Sequence, residues 1–131
     1  MTTLPTLLQR VREASGPDRE LDVAIACGLF PTYKPAPELG SGVVWTGGLN
    51  GHDNAEVDIL TASLDAAVAL VERVRPGSDG YIHFGPKPNA VVWVRGDGQP
   101  EWSSATTGPF DGRGATPALA LLAALFASLT L

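Results

Sequence analysis

Cysteine and histidine are scarce in this chain of 131 residues, one and two respectively. Cys27 has no second cysteine to pair with, so an internal disulfide is excluded and nothing points to secretion. It stands at the end of an apolar stretch before Gly28, where a buried thiol is the expected state rather than a nucleophile. His52, next to Asp53, and His83, between Ile82 and Phe84, belong to no H-x-x-x-H, C-x-x-C or carboxylate cluster, so no metal site is expected. G-x-S-x-G, P-loop and dinucleotide-binding fingerprints are also missing. No catalytic constellation emerges, no cofactor is implied, and the expectation is a protein that is not an enzyme. Basic charge is scarce as well. Nine Lys and Arg against 14 Asp and Glu leave a net charge of −5, which argues against broad binding to nucleic acid or to an anionic membrane. Met1-Thr2-Thr3 lacks the basic start and apolar run of a signal peptide, so a cytoplasmic protein is expected.

What is present is an apolar terminus. Residues 116–131 carry no charged side chain. Thr116 can cap a first helical turn, and Pro117 stands where its missing N–H costs nothing. A helix apolar all round must be covered on more than one side, and at about 1.5 Å per residue this one is too short to cross a hydrocarbon core of roughly 30 Å. We therefore expect a sheet on one side, and helices or a second copy of the chain on the other. A homo-oligomer packed through the outer face of this helix follows from that expectation.

The 44% apolar and 18% charged composition is that of a globular chain, and its length suits one domain over residues 1–131. Leu4, Leu7, Leu8 and Val11 recur at the spacing of one helical face. Ser15-Gly16-Pro17-Asp18 then breaks that helix and starts a second over residues 18–28. Residues 30–42 hold three prolines and two glycines and read as a loop without regular structure. Val43-Val44-Trp45-Thr46 is β-prone, and residues 56–60 suit an extended segment. Ser63 opens a third helix with Leu64, Ala67, Val68 and Val71 as its buried stripe, stopped by Pro76-Gly77. Strands are expected over residues 80–84 and 90–95, the second so apolar that both of its faces should be covered and Trp93 should lie in the core. Gly96-Asp97-Gly98 signals a hairpin turn, residues 99–107 a polar edge strand, and residues 108–114 a flexible loop. The order predicts an α+β fold: a three-layer α-β-α sandwich with about four helices and a small, mainly antiparallel sheet of three to four strands.

Three stretches carry a resemblance. Gly16-Pro17-Asp18-Arg19-Glu20-Leu21-Asp22, Leu60-Thr61-Ala62-Ser63-Leu64-Asp65-Ala66-Ala67 and Ala115-Thr116-Pro117-Ala118-Leu119-Ala120-Leu121, in this order, resemble the phage ABA sandwich domain family of small phage and prophage proteins. Residues 30–56 match nothing in that pattern, and the last helix does not run on into basic residues as it often does in the family. The resemblance implies an α-β-α layered domain with no assigned enzymatic activity. At the level of fold it extends to the sponge proteins that counter Thoeris defence by sequestering cyclic nucleotide-derived signals between subunits. It implies a phage-derived accessory protein that holds a small anionic ligand, such as a nucleotide-derived immune signal, against host defence. The alternatives are a protein-binding inhibitor of a host defence complex, like an anti-CRISPR, or a phage structural or assembly protein.

Candidate ligand-binding residues follow from charge and position. Arg113 between Gly112 and Gly114, just before Thr116, places a guanidinium beside free helix amides, with glycines that let a ligand approach. Arg95 and Lys87 are further anion-binding candidates, and Trp102 is an aromatic surface for a base. Trp45 and Phe110 are weaker cases of the same kind.

Overall fold

Each of the four α-helices among the described residues starts at a side chain that accepts from its first turn. The computed structural model describes residues 3–47, 53–95 and 106–130. Helix α1 spans Leu4–Glu13, α2 Arg19–Leu29, α3 Leu64–Val74 and α4 Pro117–Leu129. Their caps are Thr3, Asp18, Ser63 and Thr116, which accept from the backbone N–H of Thr6, Leu21, Ala66 and Leu119. A cap of this kind contributes about 1 kcal/mol, so the helix starts are written locally. At α2 the cap is Asp18 alone; Ser15 takes no part.

The strands form two antiparallel three-stranded sheets. In the first, β1 (Lys34–Pro35), β2 (Val43–Gly47) and β3 (Asp53–Glu56) lie in the order β1-β2-β3. In the second, β4 (Asp79–His83), β5 (Asn89–Arg95) and β6 (Thr106–Arg113) lie in the order β4-β5-β6. The fold is α+β, with four helices and small antiparallel sheets. The segment expected without regular structure holds β1 and a short 3-10 turn over Pro37–Leu39. The extended segment expected at 56–60 falls earlier, as β3, because Asp53–Glu56 pair with β2.

The largest revision concerns residues 108–114. The expected loop is the second half of β6, paired along β5 from Arg95↔Thr106 to Asn89↔Arg113 with a bulge between Val92 and Val94. A proline is tolerated in such an edge strand because the missing N–H leaves only an outer position unfilled. The turn expected at 96–98 and most of the strand expected at 99–107 lie outside the described residues.

Helix α4 is the hub. Ten of its thirteen residues are buried, which accounts for its having no polar face. The β4-β5-β6 sheet covers one side of it, through Ala90, Val92, Val94 and Gly112. Helices α1 and α3 cover the other, through Leu7, Leu8, Val11, Ala67, Leu70 and Val71. The outer face expected to need a second copy is therefore closed by the chain itself. The helices also lie on one face of the β4-β5-β6 sheet rather than on both, since α4 fits between that sheet and the other helices. On α3, Leu70 takes the buried place expected for Val68, which is 38% exposed. Helix α2 packs on α1 and carries β1 and β2 on its far side.

Candidate ligand cleft

The four residues expected to cradle an anion at the start of α4 do not converge. Successive strand residues point to opposite faces, so Gly112 looks into α4 while Arg113 looks away from it. A Cβ at Gly112 would collide with the backbone of Ala120, Ala123 and Ala124, and one at Gly114 with Leu119 and Ala120. Both glycines are required by the close approach of the chain's own helix, not by a ligand. Thr116 is engaged as the cap of α4 through Leu119, 3.2 Å away. Arg113 is exposed beside Asp111 on the sheet's outer face, with no ion pair among the described residues.

The other candidates scatter. The backbone of Arg95 pairs with Thr106, and its side chain, like all of Trp102 and His52, lies outside the described residues. Lys87 is exposed in the β4–β5 loop. Trp45 donates its indole N–H to Glu38 Oε1 at 3.0 Å. Phe110 packs against the core. Trp93, expected in the core, is half-buried on the outer face of the sheet, 5.9 Å from the ring of Tyr81. Its neighbours Val92 and Val94 take the core side, so the apolar run Val91-Val92-Trp93-Val94 is divided between two faces. His83 is exposed on the same outer face, 5.1 Å from Tyr81. Among the described residues no group of His, Cys, Asp and Glu could hold a metal ion.

A cleft forms elsewhere. The buried stripe of α2 is Leu21, Asp22, Ile25 and Ala26, which leaves Val23, Ala24 and Cys27 on a second, small-residue face. Opposite that face run Tyr33, β1, Ser41 and Val43. Prolines 31, 35 and 37 lie along this wall, and each fixes its own φ. The result is a cavity of about 950 Å³ with a mainly apolar lining, within the range of small-molecule sites.

Arg19 lines one end of the cleft and ties α2 to the end of β3 and the segment after it. Its Nη1 donates to Asp22 Oδ2 at 3.0 Å and to the Asp58 carbonyl at 3.1 Å. Its Nη2 donates to the Val57 carbonyl at 2.6 Å and to Glu56 Oε1 at 3.5 Å. Only a glycine at position 42 leaves room for this guanidinium, which a Cβ there would strike. Asp22, 1% exposed, accepts in addition from the Thr61 N–H at 2.8 Å. The Thr61 hydroxyl accepts from the Asp18 N–H at 2.8 Å. Two of the motifs behind the family resemblance thus meet as a single polar joint, and the third supplies the cap and first turn of α4. At the other end of this region, the Arg73 guanidinium lies 4.1 Å from the Phe30 ring and pins the start of the loop to α3.

Few charges stand free at the rim of the cleft. Arg19 has spent its donors on two carboxylates and two carbonyls, so the free charges at the rim are Lys34 and Glu20, both exposed. Burial raises the Cys27 thiol above its usual range, so at neutral pH the group is a protonated thiol in an apolar wall. Alkylation of Cys27 by iodoacetamide at pH 7.5 is expected to run at least about tenfold slower than for an unfolded control, and to accelerate at a higher pH than a free thiol does. Mass spectrometry of timed aliquots reads both.

The chain matches no family model, no curated protein and no solved structure. The sequence carried one usable signal for the cleft: Arg19, Val23 and Cys27 recur every fourth residue on the face of α2 opposite the buried stripe, just before the proline-rich segment.

Proposed function

We propose that this protein is a non-catalytic binding protein that takes up one small ligand in the cleft between α2 and the β1–β2 wall, and that it is a member of the phage ABA sandwich family. The observation that carries the reading is the cavity of about 950 Å³, apolar in its body and edged by one lysine. A planar or nucleoside-sized body fits the apolar walls. Tyr33 and Ser41 supply hydroxyl partners, and Lys34 faces one negative charge at the mouth. Sequestration of a nucleotide-derived signal falls within this chemistry when the ligand carries few charges. Polyphosphates do not suit it, since a single lysine beside Glu20 leaves most of their charge unpaired.

Calorimetry and thermal shift against cyclic ADP-ribose isomers, cyclic dinucleotides and uncharged nucleosides test the proposal. A ligand at 100 times its Kd raises stability by about 2.7 kcal/mol, a shift of several degrees. Ala24→Trp fills the cleft from the α2 side and is expected to weaken binding at least about 100-fold while the melting temperature stays within a few degrees. Absence of heat and of thermal shift across the whole panel, or undiminished binding by Ala24→Trp, refutes the assignment to this cleft.

A further inference from the structure

The β4-β5-β6 sheet has one face on α4 and, among the described residues, nothing on the other. We propose that this outer face docks on the same face of a second copy of the chain, around a two-fold axis lying between the two sheets. The register lays the face out as three rows. Asp79 stands beside Trp93, then Tyr81 beside Val91 and Asp111, then His83 beside Asn89 and Arg113. Its centre is apolar and aromatic: Tyr81, 51% exposed, stands beside Val91, with its ring 5.9 Å from that of the half-buried Trp93. Exposed aromatic side chains of this size on one face mark a contact surface more often than a solvated one.

Charge placement selects the partner. Asp79 and Arg113 occupy opposite corners, on the two outer strands and at opposite ends. With strands about 4.8 Å apart and a rise of about 3.4 Å per residue, a two-fold axis at about 45° to the strands, close to the other diagonal, brings Arg113 of one copy to within about 3 Å of the grid position of Asp79 of the next. The same operation places Trp93 of one copy about 2 Å from the grid position of Asp111 of the other, so the indole N–H meets a carboxylate. His83 meets its own counterpart near the axis, and Tyr81 lands between Asn89 and Val91. The strands of the two sheets then cross near a right angle, one of the two common ways in which sheets stack. Isologous pairing satisfies both corners at once, because each contact occurs twice. A polyanion such as single-stranded nucleic acid is disfavoured on this face, where two carboxylates offset Arg113 and the chain carries −5 overall.

Three short strands bury less than a standard interface of about 1,600 Å², so the dimer is weak and its population rises with concentration. Sedimentation equilibrium from about 5 to 500 µM is expected to show the average mass climbing from 13.6 kDa towards twice that value. Tyr81→Lys, Arg113→Asp and Asp79→Arg should each weaken association at least tenfold, with unchanged circular dichroism because all three side chains are exposed. The double variant Asp79→Arg with Arg113→Asp restores it to within about threefold. A strictly monomeric protein over this range overturns the proposal. So does a dimer indifferent to these substitutions, a charge swap without rescue, or a face that binds oligonucleotide or peptide and does not self-associate.

Discussion

Gly112→Val is expected to lower the melting temperature by at least about 15 °C, the largest effect we anticipate from a single substitution. In the sequence the residue, one of fifteen glycines, reads as a loop glycine that lets a ligand approach Arg113. In the fold, its α-carbon faces the middle of α4 so closely that a Cβ would overlap the Ala120 carbonyl and the Ala124 nitrogen. Overpacking in a core usually costs about 1–3 kcal/mol because a flexible side chain gives way. Here the obstructing atoms are helix backbone, and α4 is held from behind by α1 and α3, so retreat would open the core on two sides. A loss above about 4 kcal/mol follows, out of the 5–15 kcal/mol that a domain has. For a chain of this length each kcal/mol moves the midpoint by roughly 4 °C. Thermal unfolding followed by circular dichroism measures it. Gly16→Ala is the matched control: no atom lies within 4 Å of its Cβ position, so no loss is expected there. Equal losses at the two positions would contradict the close packing of β6 on α4.

Asp22→Ala should be nearly as costly, about 3–5 kcal/mol, for a different reason. The carboxylate is buried and serves two donors from different parts of the chain, Arg19 and the Thr61 N–H. Its removal leaves a buried amide without an acceptor and a half-buried guanidinium short of one counter-charge, and both are penalties of stranded groups rather than of lost attraction. Asp22→Asn keeps an oxygen for Thr61 while surrendering the charge, so it is expected to fall between the two proteins. Chemical denaturation orders the three. Because Arg19 also ties α2 to the backbone at Val57 and Asp58, Asp22→Ala should weaken ligand uptake in the cleft at protein concentrations where the fold survives. An alanine variant as stable as the parent would show that the joint carries no net energy.

The helices were legible in the sequence, and the cleft was not, because the two depend on different ranges of interaction. Caps such as Ser63 and Thr116 act within four residues, so type and spacing suffice to place them. Strand β6 depends on partners in β5, and its glycines and proline imitate loop chemistry. Only the tertiary structure shows that Gly112 is there for α4. The same ambiguity underlies the anion site expected there, since glycines flanking an arginine describe an approachable loop and a tightly packed strand equally well. The cleft is harder still to foresee. Its walls are a helix face of small residues and a proline-rich segment, and neither signals a cavity until the two stand opposite each other. The Arg19–Asp22 spacing of three residues was visible, but its partners at Glu56, Asp58 and Thr61 come from nearly forty residues on.

The position of α4 also governs the order in which the protein can be made. Helices α1 and α3 and the inner face of the β4-β5-β6 sheet are built to close on an element that the ribosome delivers after all of them. Until those thirteen residues leave the exit tunnel, the emerging chain carries apolar faces with nothing to cover them, so folding is deferred rather than stepwise. Nascent chains arrested before residue 117 should remain protease-sensitive and bind chaperones, and protection should arrive in one step as α4 emerges.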